Sequence, residues 1–154
     1  MKRSVVLMPF ALLAACSGES PMQSVAPTPE TIAFLKLDAA TLRGCVDVES
    51  IVVDGVAGLV TGSENGALAS AAKTGLDRCG EVSRVINVAG RPAAERPRVE
   101  ACQRAFAAKT RAYTALNQAL AAEGDFMAAQ RGTRAFLAGL RESTPQMRVC
   151  NTPT

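Results

Sequence analysis

Five cysteines, one tyrosine and no histidine define the chemistry open to this chain of 154 residues. Without imidazole there is no His-based general acid or base, no His ligand for a metal and no CxxCH haem attachment. The cysteines are Cys16, Cys45, Cys79, Cys102 and Cys150, and no two form a CxxC pair. That spacing suits neither thioredoxin-type exchange nor a zinc ribbon. Ala71-Ala72-Lys73-Thr74 resembles the end of a phosphate loop, but alanine replaces the required glycine before Lys73 and the segment reads as helix. Gly55, Gly58, Gly62 and Gly66 follow no strand, so they are no dinucleotide fingerprint. The four-residue step from Gly58 to Gly62 suits close helix approach instead. No metal and no cofactor is implied.

Two charged residues interrupt otherwise apolar stripes: Glu49 and Lys109, with Tyr113 one turn beyond the lysine. If buried together they form a polar core site able to hold a polar ligand or shift a pKa. The alternative puts both at stripe edges, with the Lys109 amine extended to water. Arg104, Arg111, Arg131, Arg134 and Arg141 form a second candidate, a basic surface for a phosphate-bearing envelope polymer or an acidic protein. Residues 17–90 carry five Lys/Arg against nine Asp/Glu, and residues 91–154 carry ten against five. The simpler reading of that asymmetry is attraction between the two halves of the fold, with the arginines paired to the acidic first half. No basic stretch is interleaved with aromatics, so nucleic acid is not an expected partner.

The elements that must position these groups read as helices. Abundant alanine and few β-branched runs favour helix. Thr28 can cap a helix and Pro29 suits its first position. Ile32, Leu35, Ala39, Leu42, Val46, Val53, Val56 and Val60 then recur at helical spacing. Gly44 either kinks this stretch or splits it, which leaves residues 29–61 as one helix or two. A turn at 61–66 leads to a second helix with Leu68, Ala72, Leu76, Cys79, Val82 and Ile86 inward, ending near Gly90. A loop at 90–97 precedes a third helix to Ala122, faced by Val99, Cys102, Phe106, Tyr113, Leu116 and Leu120. Asp125 caps a fourth, with Phe126, Ala129, Thr133, Phe136, Leu137 and Leu140 inward, and Pro145 stops it. The expectation is an all-α domain over residues 29–154, an antiparallel four-helix bundle made of two helical hairpins.

Helical hairpins order the cysteines by height. Cys45 and Cys79 lie about 18 and 16 residues from the first turn, and Cys102 and Cys150 about 22 and 26 from the second. At 1.5 Å per residue each pair agrees to within roughly a turn. The predicted disulfides are Cys45–Cys79 and Cys102–Cys150, each stapling one hairpin.

Cys16 has a separate role. Met1-Lys2-Arg3 is basic, Val5 to Ala11 is apolar, and Leu13-Ala14-Ala15-Cys16 ends the run with small residues and cysteine. The run is too short to span a bilayer. The segment resembles the signal peptide and lipobox of bacterial lipoproteins. The resemblance implies cleavage after residue 15 and lipid on Cys16. Polar residues and prolines over 17–28 offer no packing face, so residues 16–28 read as the lipidated cysteine and a flexible tether. Ser17 is not the aspartate that commonly retains such proteins at the inner membrane, so the implied address is the periplasmic face of the outer membrane. The leading expectation is a non-enzymatic lipoprotein with a membrane contact through Cys16 and an envelope protein or polymer as partner. Its rivals are a small enzyme or ligand carrier built on Glu49, Lys109 and Tyr113, and an inhibitor or immunity lipoprotein.

Overall fold

A computed structural model describes residues 25–60, 66–122 and 124–153; Cys16, the signal-like segment 1–15 and residues 16–24 of the expected tether lie outside the described residues. Five helices and no strand occur among the described residues: α1 (Pro29–Leu35), α2 (Ala39–Val60), α3 (Gly66–Val85), α4 (Arg96–Ala121) and α5 (Phe126–Asn151). The fold is all-helical, with five helices where the periodicity predicts four.

The extra helix arises because residues 29–61 divide at Lys36, not at Gly44. Thr28 starts α1 by accepting the Thr31 N–H at 3.2 Å. Lys36 then adopts a left-handed φ of 54°, and its N–H closes onto the Ala33 carbonyl. Asp38 restarts the chain as helix by accepting the Thr41 N–H at 2.7 Å. Gly44 lies inside α2, where a side chain would crowd Arg78 of α3. The glycine is therefore a contact point between helices.

Pro145 does not stop α5, which continues to Asn151. A proline inside a helix removes one backbone donor and costs about 3 kcal/mol. Here the ring is exposed. The hydroxyls of Ser143 and Thr144 both donate to the Leu140 carbonyl, at 2.8 and 3.0 Å, one residue before the Arg141 carbonyl that loses its helical donor to the proline. The final turn is also pinned covalently through Cys150.

Named contacts fix the packing. Cys45–Cys79 joins the start of α2 to the end of α3, and Cys102–Cys150 joins the start of α4 to the end of α5. Asn117 of α4 donates to the Ala72 carbonyl of α3 at 2.9 Å. Neighbouring long helices therefore run antiparallel. The disulfides close sequence separations of 34 and 48 residues, contributing roughly 4 kcal/mol each in the chain-entropy account. With few large rings available, close approach supplies much of the packing. A Cβ on Gly132 or Gly139 of α5 would overlap Ala119 or Ala112 of α4.

Residues 25–28, expected to be part of the tether, belong to the fold. Pro27 is buried and Val25 packs against the core. The Thr28 N–H donates to Asn151 Oδ1 at 3.0 Å, and Asn151 Nδ2 donates to the Ala26 carbonyl at 2.8 Å.

Candidate functional site

The polar core begins with the two interrupted stripes. On α2, Leu42, Cys45, Glu49, Val52 and Val56 are all buried, so Glu49 sits at the centre of the buried face. Val46 and Val53, expected inward, are only half-buried. On α4 the equivalent line is Cys102, Phe106, Lys109, Tyr113 and Leu116. The two charged groups meet: Lys109 Nζ lies 2.5 Å from Glu49 Oε2, and the side chains are 1% and 4% exposed. The stripe-edge alternative, with the lysine reaching water, is not what forms.

Tyr113 packs one turn along α4, with its ring 5.3 Å from that of Phe136. Gly75 of α3 makes room for it, because a Cβ there would overlap the tyrosine ring. Burial pushes the Tyr113 phenol well above its ordinary pKa, and the nearby Glu49 charge pushes it the same way. The phenol therefore stays protonated at neutral pH and is neither a base nor a nucleophile. Tyr113 Oη and Glu49 Oε1 are buried and have no hydrogen-bond partner among the described residues. The arrangement is an ion pair and a neutral phenol sealed from solvent. Two of its oxygens retain the capacity to accept a hydrogen bond.

The five arginines do not gather into one open basic surface. Arg104 pairs with Glu100 at 3.6 Å and donates to Gln146 at 3.0 Å. Arg111 pairs with Glu142 at 2.6 Å, and Arg131 approaches Asp125 at 4.0 Å. Arg134 and Arg141 are exposed and unpaired among the described residues. The acidic groups that meet these arginines come from their own hairpin, α4 and α5, rather than from the acidic first half. Partners on the same helix or across the α4–α5 contact reach them first, which long-range charge asymmetry cannot reveal.

No family model, curated protein or solved structure matches this chain. Its function must be argued from its own residues. Among the described residues no group of histidine, cysteine and acidic side chains could hold a metal. No described helix is long and apolar enough to cross a membrane.

One polar cluster escapes the sequence patterns. Arg98, in the first turn of α4, is 4% exposed. Its Nε donates to the Cys150 carbonyl at 2.9 Å, and an Nη donates to Thr31 Oγ1 at 3.2 Å. Its guanidinium lies 4.2 Å from the centre of the Phe34 ring, and that of Arg91 lies 5.1 Å from the same ring. Together with Asn151 these groups clasp α1 and the incoming chain onto the ends of α4 and α5. A cation held over a ring while desolvated contributes about 2 kcal/mol. The only local signal is an arginine at a position that continues the inward face of α4 toward Val99 and Cys102.

Proposed function

We propose that the chain is a lipid-anchored protein of the bacterial cell envelope that acts through contacts with an envelope protein or polymer, not through catalysis. In this reading the long helices form a disulfide-stapled four-helix bundle, with α1 as an added clasp. Cys16 carries the lipid, and residues 16–24 link it to the domain at the periplasmic face of the outer membrane. The observation that carries the reading is the pair of fully buried disulfides in a chain that opens with a lipobox-like segment. Structural disulfides persist in oxidising compartments and are rare in the cytosol. The sealed Glu49–Lys109 pair supports action at the surface, since the strongest ionisable constellation in the interior is spent on packing. More than one acyl chain on Cys16 would hold the domain stably at about 0.8 kcal/mol per buried CH₂.

Radioactive palmitate tests the anchor. The native chain should incorporate label and the Cys16→Ala chain should not; label persisting in Cys16→Ala overturns the reading. Crosslinking in intact cells, followed by mass spectrometry, should then recover a recurrent envelope partner. One observation favours a ligand carrier as a second reading: the unpartnered Glu49 Oε1 and Tyr113 Oη. It requires a small polar guest to raise the melting temperature of the native chain and to leave that of Tyr113→Phe unchanged.

A further inference from the structure

The joint between α1 and α2 runs against its own local preference. Lys36 has a left-handed φ of 54°. Its N–H donates to the Ala33 carbonyl and the Leu37 N–H to the Ile32 carbonyl, both at 3.2 Å. Glycine usually makes this helix ending, because a Cβ is disfavoured there. Lysine and leucine are good helix formers, and no proline lies between Pro29 and Val60. Ile32, Leu35, Ala39, Leu42 and Val46 keep helical steps of three and four across the break. Residues 36–38 therefore favour one continuous helix, and the break is imposed by contacts elsewhere.

Residues 25–35 form an arm, and a socket far along the chain holds it. Among the described residues, the arm's bonds beyond the 36–38 hinge run to residues 91–151. Asn151 accepts the Thr28 N–H and donates to the Ala26 carbonyl. Thr31 Oγ1 donates to Asn151 Oδ1 at 3.0 Å and accepts from Arg98. Arg98 also approaches Glu30 at 3.8 Å. Arg91 donates to the Phe34 carbonyl at 3.3 Å, and both guanidiniums cover the Phe34 ring. The socket does not depend on the arm for its shape. Its groups lie just before α4, in the first turn of α4 and at the end of α5, and Cys102–Cys150 ties those two helices together there.

We propose that the chain exchanges this arm with a second copy of itself. The hinge straightens into one helix from Pro29 to Val60, and each arm enters the other copy's socket. An identical chain supplies every bond of the arm again, so the closed two-fold dimer loses none of them. Straightening relieves the left-handed lysine and gives up the bond from the Thr41 N–H to Asp38 that starts α2. Those two opposed changes at the hinge, together with protein concentration, set the ratio of monomer to dimer. A short hinge held in an unfavourable conformation is the feature that invites such exchange. The proposal stands whether or not Cys16 carries lipid.

The test uses residues 16–154 with Cys16→Ser, which retains every described residue. The oxidised chain is refolded from denaturant at low and at high protein concentration, and its mass is read by light scattering after size exclusion. High concentration should yield a dimer that runs as a monomer on a non-reducing denaturing gel, since both disulfides stay within one chain. Lys36→Gly removes the left-handed cost from the monomer, about tenfold per hinge. A dimer contains two hinges, so this variant should weaken it about a hundredfold. Asp38→Ala removes the cap from the monomer alone, about fivefold per hinge, and should strengthen the dimer about 25-fold. Arg98→Gln/Asn151→Ala strips the socket and should abolish the dimer at native helical content. No dimer in Asp38→Ala, equal dimer fractions in Asp38→Ala and Lys36→Gly, or a dimer that persists in a folded Arg98→Gln/Asn151→Ala chain overturns the exchange.

Discussion

Replacing Lys109 with methionine should be the most damaging single change in the core. The side chain has similar length and the site is already apolar around it, so little packing is lost. What changes is the partner of Glu49, whose carboxylate remains 4% exposed with no cation beside it. Its other oxygen already lacks a hydrogen-bond partner among the described residues. Breaking a buried pair from one side costs about 3–5 kcal/mol. At this size, 1 kcal/mol shifts the melting point by about 3–5 °C. The expected fall in Tm is therefore about 10–20 °C, measured by circular dichroism with the disulfides intact. The double variant Glu49→Leu/Lys109→Met removes both charges and should recover most of that loss, because well-packed apolar residues often replace a buried pair without penalty. A Tm unchanged in Lys109→Met, or a double variant as unstable as the single one, would refute the buried-pair account.

Other changes probe separate parts of the structure. Tyr113→Phe removes a buried hydroxyl with no partner and should be neutral or stabilising by about 1 kcal/mol in chemical denaturation; a clear loss would show that the hydroxyl is bonded. Tyr113 is the only tyrosine and there is no tryptophan, so ultraviolet titration reads it cleanly. Its raised pKa means that no tyrosinate should appear near pH 10 while the chain stays folded. The accompanying stability is present below the unfolded pKa of about 10 and falls as pH rises beyond it. Gly75→Ala drives a Cβ into the Tyr113 ring and should cost about 1–3 kcal/mol, visible as an earlier urea midpoint. Asp38 is held below the usual carboxylate range by the Thr41 N–H bond. The stability it lends α2 is therefore present above its unfolded pKa and lost as pH falls through the folded one, so the deficit of Asp38→Ala at neutral pH should vanish in acid.

The parts of this structure that follow a local rule were legible in the sequence. Thr28-Pro29 marks the start of α1, and Gly124-Asp125 marks the start of α5. Antiparallel hairpins bring equal heights together, which is why cysteine positions relate to Cys45–Cys79 and Cys102–Cys150. Glu49 and Lys109 stand out because each breaks an apolar stripe. That a charge is central to a stripe, and not at its edge, depends on which of Val46 or Cys45 points inward, and a one-residue rotation of α2 decides it.

What stayed illegible depends on contacts between distant residues. The break at Lys36 forms because Leu35 packs inward while α2 must start afresh on Asp38; glycine at position 44 is the stronger local breaker and is outvoted. Pro145 is tolerated because Cys150, Asn151 and Arg98 hold the turn beyond it. The clasp joins Arg98 to Thr31 and Cys150, which are 67 and 52 residues away, and no periodicity encodes such a meeting.

Intact-mass spectrometry of the native protein, purified from cell membranes without reductant, tests the central claim most directly. The account predicts a chain that begins at Cys16, carries acyl mass on that residue, and lacks the four hydrogens removed by two disulfides. A species that begins at Met1, with no acyl mass and all of its thiols reduced, would contradict it.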